Sequence, residues 1–277
     1  MHDLQMSSAE IFGLALAAIA SGAVSGLMAG IFGIGGGAVL VPIFYQFLTA
    51  LQVDESVRMH LSVGTSLAII VPTSIRSFAA HRARGAVDTD LLKSFLVPVP
   101  VGVAAASLVA ASVSSAQLRT IFAVIVLVVG LRLVFNREGW RLGTVMPGYP
   151  WRPAVGVMIG FLSTLMGIGG GVMNNTFMTL FGRPLHEAVA TSSGVGVLIA
   201  IPGALGYIWA GWGDPLLPFA STGFVNWIAV ALIVPITLVV APYGVRIAHW
   251  LKKRHLEIAF GLFCLLVSAR FFASLLG

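Results

Sequence analysis

The sequence predicts an all-α integral membrane protein, an inverted-topology repeat with two glycine-broken helical hairpins and eight to ten membrane segments. Three observations lead there. Of the 277 residues, 58% are hydrophobic and only 9% charged, with a mean hydropathy of +0.98. A soluble domain carries roughly 25% charged residues, so this chain lacks the charge to cover a water-facing surface. A motif then occurs twice: Gly33-Ile34-Gly35-Gly36-Gly37 returns as Gly167-Ile168-Gly169-Gly170-Gly171, at an offset of 134. Finally, loops at matching places in the two halves differ sharply in charge.

A membrane crossing needs about 20 apolar residues to span a hydrocarbon core of roughly 30 Å. The apolar segments are 9–32, 38–50, 60–80, 91–112, 118–135, 153–167, 171–182, 187–210, 223–247 and 256–276. Segments 38–50, 153–167 and 171–182 are short for a full crossing, and they flank the glycine motifs. This predicts broken helical hairpins over 9–50 and 153–182, each returning to its starting side. Lys and Arg concentrate in cytoplasmic loops. With the N-terminus outside, 13 of the 16 basic residues fall inside, leaving Arg58, Arg119 and Arg270 outside. Both termini are then extracytoplasmic. Met1–Glu10 holds no Lys or Arg, so the basic start of a signal peptide is missing.

The halves match beyond the glycines. His60, Thr65 and Ser66 fall on His186, Thr191 and Ser192 at an offset of 126, which also sets Gly85 and Asp88 on Gly211 and Asp214. Leu118, Phe122 and Arg132 fall on Leu256, Phe260 and Arg270 at an offset of 138. Residues 81–93 are basic, whereas 207–222 have no Lys or Arg. Equivalent loops therefore belong on opposite sides, the construction of many secondary transporters. The predicted organisation is an N-terminal repeat over 1–135, a cytoplasmic linker over 136–152 and a C-terminal inverted repeat over 153–277.

Interrupted helices in corresponding positions of two halves point to a transporter's binding site. Glycine lets backbone approach a ligand closely, and the N-terminus of a half-helix favours anions. The candidate substrate-binding backbone is therefore Gly33, Gly35, Gly36, Gly37, Gly167, Gly169, Gly170 and Gly171. Hydroxyls of Thr65, Ser66, Thr191 and Ser192 and amides of Asn174 and Asn175 add neutral donors suited to a tetrahedral or pyramidal oxyanion. Arg76 is a candidate fixed cation, with snorkelling to the interface as the alternative. His60 and His186 are candidates for gating or proton coupling, or for anchoring helix starts. Phe122 and Phe260 read as packing, and the six tryptophans as interfacial belts.

All ten acidic residues fall in loops or near helix ends, so no carboxylate relay or counter-charge for a cation is legible. No P-loop and no hydrolase motif occurs. Neither an enzyme, a cofactor nor a metal site is expected. The lone Cys264 makes no internal disulfide. The charge of +6 sits in short loops between apolar segments and does not argue for nucleic acid. The expected partners are a small anion and the lipid bilayer; a homodimer stays open.

The doubled G-x-G-G-G, the G-T-S element Gly64-Thr65-Ser66 and the turn carrying His81, Gly85 and Asp88 resemble the TauE/SafE family, the proposed sulfite and organosulfonate exporters. The resemblance covers about 10–275. It implies a multi-pass protein of the bacterial inner membrane that exports sulfite or a small organosulfonate by alternating access between the two glycine breaks. An anion channel, or a carrier of another small anion such as a carboxylate, is the alternative. The second copy departs from the first: Pro42 falls opposite Thr176, and Asn174-Asn175 stand opposite Leu40-Val41.

Overall fold

A computed structural model of the chain describes residues 19–30, 37–135, 142–250 and 253–276. They form an almost wholly helical protein. In chain order the helices are α1 (Ile19–Gly30), α2 (Gly37–Ala50), α3 (Glu55–Ala83), α4 (Thr89–Phe95), α5 (Pro98–Ser112), α6 (Ser115–Phe135), α7 (Trp151–Leu165), α8 (Gly171–Leu180), α9 (Leu185–Ala210), α10 (Trp227–Trp250) and α11 (Lys253–Leu276). A two-residue hairpin, β1 (Ser221–Thr222) and β2 (Val225–Asn226), precedes α10. Gly33, Gly35 and Gly36 lie outside the described residues.

Among the described residues α3, α6, α9, α10 and α11 are long and apolar enough to cross a membrane. The 91–112 segment is not one straight helix: α4 and α5 meet at a 42° bend. The cause is Pro98 at the start of α5, since proline lacks an N–H and its ring clashes with the preceding turn. At about 1.5 Å per residue, the 14 residues of α2 and the 10 of α8 fall short of a core of roughly 30 Å. They are half-helices, in keeping with the two interrupted segments.

Capping explains where the helices begin. Asp54 accepts from Ser56 N–H at 2.9 Å ahead of α3, and the Ser56 bonds hold its carboxyl below the usual range. Asp88 accepts from Leu91 N–H at 2.9 Å ahead of α4. Asn226 accepts from Ala229 N–H at 3.0 Å ahead of α10. Each satisfies a donor that the first helical turn leaves without a partner.

The helices pack in pairs, and the pairs recur. α3 lies against α9 at the centre, α6 against α11, α5 against α7, and α1 against α10. A Cβ on Gly156 would meet Phe95 and Pro98, while one on Gly22 would meet Ile233 and Ile236. A Cβ on Gly160 would meet the Val99 carbonyl, and one on Gly26 the Thr237 carbonyl. These positions correspond at the offsets of 134 and 138. Across α6 and α11, Gly130 and Gly261 approach each other's carbonyls, while Ser268 Oγ donates to Ala123 O at 2.8 Å. These residue pairs also correspond, and they show α6 and α11 running antiparallel. Small residues and crossing hydrogen bonds hold membrane helices together where no hydrophobic difference from lipid exists. Phe122 and Phe260 are buried in this core. Trp151, Trp209, Trp212 and Trp227 are exposed.

One region breaks the correspondence. The connection from α9 to α10 is longer than that from α3 to α4 and contains the β-hairpin. Gly223 turns it at φ +53, and a Cβ there would lie 2.0 Å from Ile208 O. The hairpin seats Phe224 on His60, with ring centroids 4.8 Å apart. This extra chain moves the helix-start equivalent of Asp88 from Asp214 to Asn226.

Candidate functional site

The second glycine motif forms the break between α7 and α8. Gly167 and Gly170 take the left-handed conformation, at φ +64 and φ +72, which is nearly free of cost only for glycine. All of 166–171 is buried. Gly170 is the N-cap of α8 and supplies no side chain to its first N–H groups. Such a terminus carries partial positive charge and unpaired donors. The first motif meets this break. A Cβ on Gly37, the first residue of α2, would lie 2.2 Å from Gly167 O and 3.0 Å from Ile168 Cα. Backbone thus touches backbone at the centre of the molecule, where any side chain would separate the two elements.

Several of the expected polar residues bond the break or the helices beside it. Ser66 Oγ donates to Gly167 O at 2.8 Å, pinning α3 to the break. Asn174 Nδ2 donates to Ser192 Oγ at 2.8 Å, and Ser192 Oγ donates to Asn175 Oδ1 at 2.7 Å. The two amides of α8 are thereby tied to α9 through one hydroxyl. Asn174 is fully buried, and its Oδ1 has no hydrogen-bond partner. Thr65 Oγ1 accepts from Asn226 N–H at 3.0 Å, and Thr191 Oγ1 accepts from Asp88 N–H at 2.9 Å. Each central helix thus supplies an acceptor to the loop of the opposite half, at corresponding positions.

The sequence profile of the sulfite exporter TauE/SafE family matches residues 18–271, a stretch that includes both glycine motifs. This chain belongs to the sulfite exporter TauE/SafE family. It is 30% identical over 263 residues to a probable membrane transporter protein of Haemophilus influenzae, covering 95% of this chain and 99% of the relative. It is 26% identical to probable membrane transporter proteins of Bacillus subtilis, over 77% of this chain and 81% of the relative, and of Methanocaldococcus jannaschii, over 86% and 87%. No solved structure matches it. The protein is therefore a multi-pass membrane transporter.

Other candidates of the TauE/SafE chain lie away from the junction. Arg76 is exposed on α3. His186 is exposed in the first turn of α9, whereas His60 is buried in α3 with Nε2 2.9 Å from Ala110 O. The two histidines correspond in sequence but not in surroundings, because the hairpin residue Phe224 covers His60 alone. Two arginines outside the candidate set make side-chain contacts. Arg119 is buried, bonded to Tyr45 Oη at 2.5 Å and ion-paired with Glu55 at 3.1 Å. Arg132 donates to Thr176 Oγ1 on α8. A signal for the second was present: Thr176 stands where the first half has Pro42, and Arg132 stands opposite Arg270.

Proposed function

We propose that the protein is a secondary transporter that exports a small anion, sulfite or a small organosulfonate, across the bacterial inner membrane. The observation that carries this reading is the contact of Gly37 with Gly167. The starts of α2 and α8 approach there, with the Asn174–Ser192–Asn175 chain farther along α8, and this supports a site at the junction. Neutral donors and a helix N-terminus suit an oxyanion without binding it too tightly to release. The paired contacts and the antiparallel course of α6 and α11 support two halves of inverted topology. The charge distribution supports both termini lying outside. Alternating access then moves the α3–α9 core and the half-helices relative to the flanking pairs. An inside-negative potential contributes about 2.3 kcal/mol per charge per 100 mV, enough to drive an anion outward without a coupling ion.

Flux of sulfite and of small sulfonates in proteoliposomes under an imposed potential tests this. Saturable, potential-driven movement is expected. Conductance of many ions per opening would assign a channel instead, and movement of carboxylates alone would replace the substrate class. Asn174→Leu is expected to cut flux at least about tenfold, a loss of roughly 1.4 kcal/mol, with the protein still folded. Unchanged flux in this variant would remove the α8 amides from the site.

A further inference from the structure

The halves differ at one arginine. In the first half, Arg132 of α6 donates to the Thr176 hydroxyl of α8, and the linker's Leu142 N–H donates to Leu180 O at 2.9 Å beside it. The corresponding residues of the second arginine site are Arg270 of α11 and Pro42 of α2. Proline offers no hydroxyl, and Arg270 is exposed with neither a hydrogen bond nor an ion pair among the described residues. A cavity of about 410 Å³ opens there between α2 and α11. Pro42, Phe47, Phe263 and Leu266 form its apolar wall, and Gln46 and Arg270 are its polar members.

We propose that this groove is a binding site for one anionic phospholipid of the surrounding bilayer. The groove lies between a half-helix and a candidate span, Glu257–Leu275, so its apolar wall faces acyl chains. Arg270 stands five residues before the end of that span, within reach of the headgroup layer by snorkelling. An unpaired guanidinium beside a primary amide complements a phosphodiester, which accepts paired N–H donors. Aromatic and branched side chains along Phe47, Phe263 and Leu266 suit one acyl chain. The lipid would supply to Arg270 the acceptor that Thr176 supplies to Arg132.

Native mass spectrometry and thermal unfolding of the purified full-length protein test this, with phosphatidylglycerol and phosphatidylcholine as the two probes. Wild type is expected to retain phosphatidylglycerol about fivefold more tightly, corresponding to ~1 kcal/mol per basic residue at the membrane surface. Arg270→Gln should abolish that preference. Pro42→Thr, which gives Arg270 the hydroxyl present in the other half, should reduce it. Leu266→Trp, which fills the acyl path, should lower retention of both lipids. Equal retention of the two lipids by wild type would overturn the proposal, as would a preference that survives Arg270→Gln in folded protein. Equal stabilisation by soluble glycerol phosphate would also overturn it, by showing that a free anion suffices.

Discussion

Arg132 and Arg270 occupy corresponding positions in the two halves, yet one is tied to its neighbouring half-helix and the other is not. Thr65 and Thr191 behave differently: they correspond, and each accepts a backbone N–H from the loop of the opposite half, at 3.0 and 2.9 Å. The difference separates two kinds of position. The two threonine contacts have matched partners because a donor withdrawn from water needs an acceptor. Arg270 is exposed beside the α2–α11 groove without such a partner among the described residues, and the proposed lipid would stand in for it. The halves agree in the threonine contacts and diverge at the exposed arginine.

Packing glycines offer the largest test of that comparison. A Cβ on Gly160 would lie 2.2 Å from Val99 O, whereas one on the corresponding Gly26 would lie 3.0 Å from the Thr237 carbonyl. Backbone cannot swing aside, so Gly160→Ala should destabilise by about 3 kcal/mol or more and Gly26→Ala by ~1 kcal/mol. Thermal unfolding in one detergent checks this; a reversed order would mean that α5–α7 and α1–α10 do not pack as corresponding pairs.

The threonines sharpen it at intermediate size. Thr65→Val and Thr191→Val each leave one part-buried N–H without its acceptor, with an expected cost of about 1 kcal/mol apiece. The two losses should be similar, and hydrogen exchange should rise selectively at Asn226 in the first variant and Asp88 in the second. Protection unchanged at both sites would break the interlocking described at the centre.

The smallest effect falls on the outer pair. Ser268→Ala removes the bond to Ala123 O, and hydrogen bonds between membrane helices average ~0.6 kcal/mol. A shift above about 2 kcal/mol would mean that this contact is worth far more than such bonds.

Much of this arrangement was legible in the residues. The second glycine motif anticipated the break before α8, and Gly37 of the first motif packs against Gly167. Ser66 bonds the break and Ser192 bonds Asn174 and Asn175, while Thr65 and Thr191 bond loops, and these partners were not readable. Register drift hid them. Asp88 appeared to match Asp214 because the extra chain carrying the β-hairpin falls between Gly211 and Asn226, and a hairpin of two-residue strands leaves little periodic signal. Arg76, a candidate fixed cation or a side chain snorkelling to the interface, is exposed; helix position alone does not say which face of α3 is covered.

By itself the sequence determined the membrane class, the break before α8 and the family. These follow from composition and from local backbone needs: apolar length, missing charge, and glycine where a chain must turn left-handed or approach another backbone. Only the tertiary structure decided which donor meets which acceptor. Ser66 on Gly167, Thr65 on Asn226, and Arg132 but not Arg270 on an α8-type hydroxyl all join residues far apart in the chain. Hydrogen bonds require distances near 3 Å, and these depend on how the helices pack and on where one longer loop places the strand that follows it.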